Sequence, residues 1–286
     1  MKEALFDISR QDLEASKLLF ENKFYPQAIF FLQQSVEKAT KSFGILGKII
    51  NLEEARYDVG HDPLKIYKKM MKSLQKKMEY FEEIINKNPR LGKNKIVEDI
   101  TSNFNSKKMR EYLNSLTDID KNRAYNFPSK KNIESSIKLL NMIESMLGKS
   151  SLPSILTKQK LEEYEKYMEE LLDAFFELDP EIAKKIKNRV NELLSQEPRD
   201  KILRIGEFWM DLLYVLFSLF LLSYLLPWFY AIYTKYPDEK GQNPSEIYNE
   251  EHPLIRFYDD LVKIMEKTLS KMGNLFPKEA NRERVK

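Results

Sequence analysis

A chain of 286 residues can bury a sizeable core, in one large domain or two ordinary ones. Lys and Arg number 47 against 44 Asp and Glu, so the net charge of +3 describes a mixed surface and implies no general affinity for polyanions. The absence of cysteine excludes disulfides, thiolate nucleophiles and cysteine-ligated metal centres, and two histidines are too few for a histidine-rich site, so neither metal nor cofactor is expected. With 8 glycines in the whole chain and Lys, Glu, Ile and Leu abundant, helices are favoured.

Residues 3 to 22 place Leu5, Ile8, Leu13, Ser16 and Leu19 or Phe20 three to five apart, mostly three and four, which predicts an amphipathic helix. Charges run through this segment, so a signal peptide is not expected. A second helix starts near Pro26, with Ile29, Leu32, Val36, Ala39 and Phe43 along one side. "NLEEARYDVG" reads as a loop or frayed turn, after which Asp62 and Pro63 supply a cap and a first position for a third helix that Pro89 and Gly92 end. Shorter helices are expected near 95 to 104 and 107 to 116. A longer one, "NIESSIKLLNMIESML", carries Ile133, Ile137, Leu140 and Leu147 on one face.

The composition pauses at "GKSSLPS", 148 to 154. Beyond it, helices are expected at 157 to 178 and 180 to 195, and a last one from Pro253 to about 272, with a frayed tail. Between them, Leu212 to Tyr233 holds no charged residue for 22 positions, the length that spans a bilayer. Ser218, Ser223, Tyr214 and Tyr224 interrupt that surface, and the neighbouring amphipathic helices need a partner, so burial inside a bundle is preferred and a membrane span is the alternative. No alternating strand pattern occurs.

The run "ASKLLFENKFYPQAIFFLQQSVEKATKSFGIL" followed by "GHDPLKIYKKM" resembles the HEPN superfamily of small helical bundles. Tyr25, Ala28, Gln34, Glu37-Lys38, Lys41 and His61-Asp62 carry the resemblance. "NRAYNFPSKKNIESSIKLLNMIESML" is similar to the family's arginine–tyrosine loop and final helix, so the match covers roughly residues 3 to 148. A weaker echo, with Tyr236-Pro237 and Tyr248, runs from 230 to 272. The fold class expected is therefore all-α, antiparallel helical bundles of HEPN type. Two organisations stay open: a bundle over 1–148 with a second helical part over 155–286 that holds the very hydrophobic helix near 208–233, or one bundle closed by 207–272 around an insertion at about 88–200.

Many proteins that the chain resembles are metal-independent ribonucleases carrying an arginine and a histidine four to six residues apart. Arg56 and His61 meet that spacing. A near-neutral histidine can move the proton of a ribose 2′-hydroxyl, and an arginine can hold phosphorane oxygens with forked donors. Here the pair precedes the third helix instead of sitting at the last core helix, and Tyr57 follows the arginine where the family carries a polar residue. The structural alternative has His61 and Asp62 capping the third helix and Arg56 paired with Glu53 or Glu54. His252, before Pro253, reads as a cap-region residue.

Lys65, Lys68, Lys69, Lys72 and Lys76 could follow a phosphate backbone or form a solvated face balanced by Glu79, Glu82 and Glu83. Two functions are expected from this. One is a homodimeric interaction module that binds a partner protein, nucleotide or RNA without catalysis; the resemblance implies a nucleotidyltransferase-type partner. The other is an endoribonuclease of a defence or toxin type using Arg56 and His61. The expected location is the cytoplasm, with membrane association through 212–233 as the alternative.

Overall fold

The computed structural model describes residues 2–89, 93, 97–98, 101–102, 105–108, 110–111, 113–114, 129–149, 198–226 and 243–275. Every regular element among them is helical, so the molecule is all-α. The expected helices at 157–178 and 180–195, the loop at 118–128, most of the 148–154 boundary and the tail lie outside the described residues. The chain divides into two compact units. One comprises Met1–Met70, Thr117–Ser145 and Met210–Lys286; the other comprises Met71–Leu116 and Met146–Trp209.

In the first unit α1 (Lys2–Glu21) and α2 (Tyr25–Leu46) form a hairpin. Its turn is closed by the Lys23 amide on the Phe20 carbonyl and the Phe24 amide on the Leu19 carbonyl. The buried line of α1 is Phe6, Ser9, Leu13 and Ser16, spaced three and four, and it faces Ala28 and Ser35 of α2. Ser9 and Ser35 each donate their hydroxyl to the other's carbonyl, at 2.7 and 2.8 Å, and Ser16 donates to the Ala28 carbonyl at 2.7 Å. The paired positions move in opposite directions along the two helices, so the hairpin is antiparallel. Small side chains let the backbones approach, which is why Ser9 is buried while Ile8 is 39% exposed.

The apolar face of α2 is as its spacing predicts: Ile29, Leu32, Val36, Ala39 and Phe43 are all buried. The helix is buried on much of its other side too, including Gln33, Glu37 and Thr40. A short helix, α3 (Leu52–Tyr57), then leads to α4 (Leu64–Lys87), whose first turns belong to the first unit and whose remainder belongs to the second. Further on come α5 (Lys130–Lys149), α6 (Pro198–Leu225), α7 (Pro244–Ile247), α8 (Pro253–Arg256) and α9 (Tyr258–Leu275).

The apolar run of α6 lies in the core of the first unit, where Tyr214, Val215, Leu219, Leu222, Leu225 and Leu226 are buried. Among the described residues no helix is long and apolar enough to cross a membrane. Residues 227–233 of the run fall outside them. Leu261, Met265, Leu269 and Met272 of α9 enter the same core. Phe20 stacks on Tyr258 at 3.8 Å between ring centroids, nearly parallel, and the Tyr258 hydroxyl meets Ser16 Oγ at 2.6 Å. Because Ser16 gives its one proton to Ala28, Tyr258 is the donor of that bond. Burial pushes the Tyr258 phenol up to about 12.

Candidate functional site: the Glu37 network and the 51–63 segment

"NLEEARYDVG" contains a helix where a loop or frayed turn is expected. Asn51 and Glu54 close a capping box, the Asn51 side chain accepting from the Glu54 amide at 2.9 Å and the Glu54 carboxylate from the Asn51 amide at 2.8 Å. A small apolar cluster of Ile50, Ala55, Val59 and Ile66 holds this segment down. It packs close to α2 because residue 44 is glycine: a Cβ there would come within 3.0 Å of Ile66 and 3.1 Å of Ile50. Gly60 turns the chain with φ +57, in the left-handed region that suits glycine. Asp62 then accepts from the Leu64 amide at 3.2 Å, so the expected start of the long lysine-rich helix is present.

Arg56 and His61 lie on either side of that turn. Arg56 stands in the last turn of α3, exposed, and makes no ion pair among the described residues. Its expected partner Glu54 is taken instead by Lys69 at 2.8 Å. That hydrogen bond holds the Glu54 carboxyl below the ordinary carboxylate value and raises the Lys69 ammonium above its own. His61 turns the other way, towards α2, its Nδ1 3.3 Å from Glu37 Oε2. No hydrogen bond joins Arg56 to His61 among the described residues.

Glu37 is the centre of the site. Its side chain is 4% exposed, and its two oxygens receive Lys41 Nζ at 2.8 Å, His61 Nδ1 at 3.3 Å, Gln34 Nε2 at 3.4 Å and Gln33 Nε2 at 3.5 Å. Gln34 also donates to Gln33 Oε1 at 2.7 Å and accepts from Lys38 at 3.2 Å, and Lys38 pairs with Asp12 of α1. A buried carboxylate is stable only when its lone pairs meet donors, and here they come from both sides. A carboxylate only accepts, so His61 Nδ1 donates and Nε2 is the nitrogen left outward, on a ring 75% exposed.

Sequence reasoning used Gln34, Glu37, Lys38 and Lys41 as marks of resemblance and did not read them as one site. Asp12 and Gln33 it missed. The available signal was two adjacent polar lines at four-residue spacing, Gln33–Glu37–Lys41 and Gln34–Lys38, beside the apolar face of the same helix.

The five candidate nucleic-acid lysines separate. Lys65 Nζ donates to the Asp58 carbonyl at 3.0 Å, and Lys69 binds Glu54 and, at 3.3 Å, Asp58, so these two tie α4 to the preceding turn. Lys68 is half-buried in the same turn of helix. Lys72 and Lys76, in the second unit, are exposed.

His252 is a cap, as expected. Its Nδ1 accepts the Leu254 amide at 3.2 Å and its ring packs on Tyr248 at 4.8 Å. Accepting through Nδ1 requires the tautomer with the proton on Nε2. Burial lowers its pKa to about 4. Among the described residues no group of three or more His, Asp or Glu side chains is placed to hold a metal ion.

The family profile described as the HEPN domain matches residues 2–195. No curated protein and no solved structure matches the chain. The matched span takes in α1 to α5, Glu37 with all its donors and the 51–63 segment, and it covers well over half of the sequence: the chain belongs to the HEPN domain family.

Proposed function

We propose that this HEPN chain is an interaction module that binds a partner protein, nucleotide or RNA and does not cleave RNA with Arg56 and His61. What supports the reading is the hydrogen-bonding of His61: the imidazole closes the network around buried Glu37, while Arg56 stands outside that network on α3. Cleavage by an arginine–histidine pair needs the guanidinium on the phosphate oxygens and the imidazole within reach of the same phosphate's proton transfers, and fold membership alone conveys no chemistry.

The test is incubation of the purified chain with a mixed RNA substrate in chelator, beside His61→Ala. The expected outcome is intact RNA with both proteins. Chelator-resistant cleavage that disappears in the variant overturns the reading.

One observation favours the metal-independent ribonuclease as a second reading. Glu37 fixes the His61 tautomer and leaves Nε2 outward, the arrangement in which a carboxylate orients a general base. The same assay separates the two.

A further inference from the structure

The part of α4 that lies in the second unit presents a different surface from its first turns. Lys72, Lys76, Lys77 and Lys87 are exposed there, and none makes an ion pair or side-chain hydrogen bond among the described residues. At 3.6 residues per turn, Lys72, Lys76, Tyr80, Glu83 and Lys87 fall on one line along the helix. The line is about 22 Å long at 1.5 Å per residue. Tyr80 is 67% exposed in the middle of it.

The other carboxylates of this stretch are engaged elsewhere. Glu79 accepts from Gln75 at 2.8 Å and pairs with Arg110 at 3.5 Å, and Glu82 accepts both the amide and the hydroxyl of Ser106 at 2.7 Å. Glu83 is thus the one acidic position on a line of three lysines and a bare aromatic ring.

A ligand that fits must carry regularly spaced anions and flat faces to lay on Tyr80. A duplex hides its base faces, and an acidic peptide supplies charge without rings. We propose that Lys72, Lys76, Tyr80 and Lys87 form a docking strip for single-stranded nucleic acid, the lysines taking phosphates and Tyr80 stacking a base. The proposal rests on the binding-module reading and names its ligand. It uses neither Arg56 nor His61.

The test is fluorescence anisotropy of a labelled oligouridylate of about 20 nucleotides with the full chain carrying His61→Ala, at roughly 50 and 200 mM salt. Binding is expected, and it weakens at least tenfold, ~1.4 units shallower in its log–log salt dependence, when Lys72→Glu and Lys76→Glu are combined. Tyr80→Ala is expected to weaken it by about 5- to 100-fold while Tyr80→Phe leaves it unchanged, because stacking uses the ring and not the hydroxyl. Lys263→Glu, a charge reversal on exposed α9 surface, leaves binding unchanged. Circular dichroism of each variant shows whether its helices are intact.

No binding by the parent protein, equal binding by the double lysine variant, or displacement of the oligonucleotide by polyglutamate at equal charge overturns the strip. Those results leave the module reading standing. RNA cleavage in chelator overturns the module reading, and the anisotropy still judges the strip.

Discussion

Glu37 and His252 show how much of the residue-scale chemistry is decided by partners. Glu37 is held in the protein interior by two amides, an ammonium and an imidazole. Glu37→Gln keeps the shape and removes the charge, leaving Lys41, whose side chain is 12% exposed, without its counter-ion. The expected loss is roughly 2–4 kcal/mol, read as a lower urea midpoint at unchanged slope. A midpoint equal to the parent's would show that the network is not stabilising.

His252 carries a pH dependence whose sign follows from its depressed pKa. The folded state resists protonation down to about 4, whereas the unfolded chain binds the proton near 6.5. The contribution is therefore fully present above about 6.5, declines as pH falls towards 4, and levels off below that. Its size is on the order of 3 kcal/mol for a shift of this extent. Urea midpoints of the parent and of His252→Asn, which keeps a capping side chain that does not titrate, should be compared at pH 7 and near pH 4.5. The parent is expected to lose more stability between the two; parallel losses would remove His252 as the cause.

At the scale of elements, α3 is the informative miss. Six residues are too few for a helical period to show, and such a helix does not form alone. It exists because Asn51 and Glu54 cap it and Ala55 and Val59 are buried against Ile50 and Ile66. Its exit depends on Gly60, where an added Cβ would meet no atom within 4 Å, so a side chain is opposed by backbone conformation alone. Gly60→Ala is expected to cost about 1–2 kcal/mol in thermal or urea unfolding. A neutral result would mean the turn adopts another conformation.

Two other boundaries moved for similar reasons. The helix carrying the apolar run begins at Pro198, before the run expected near 208–233, because hydropathy marks burial and not helicity. The last helix is broken at Phe257, φ −104 and ψ 12, into α8 and α9.

On the scale of the first unit, the consequential fact is the distance in sequence between packed residues. Ser16 and Tyr258 are 242 positions apart and hydrogen-bonded, Lys17 reaches Glu266 at 2.8 Å, and Thr40 meets Ser223 at 3.4 Å. Leu222 sits in this core with no exposure. Leu222→Ala is expected to cost about 2–5 kcal/mol and to lower the unfolding midpoint of α1, α2 and α9 together, since they share one cluster. Tryptic digestion and hydrogen exchange would show it. Protection lost only within α6 would mean that the helix does not support the others.

By itself the sequence determined the helical class, the HEPN family, the apolar face of α2 and the Asp62-Pro63 helix start. The family is carried by the resemblance of short motifs, and the other three rest on local rules: scarce glycine, a 3.6-residue period, a cap chemistry written in two adjacent residues. Tertiary structure decided that Ser9 and not Ile8 faces α2, because close backbone approach favours small side chains over hydropathy. It decided that His61 leans on Glu37 while Arg56 stands apart, and that Lys65 and Lys69 serve the turn while Lys72 and Lys76 face solvent. A spacing fixes how far apart two residues are along the chain. Which groups they meet depends on the helices brought against them by burial of apolar surface, and that cooperative outcome is not encoded in any short stretch.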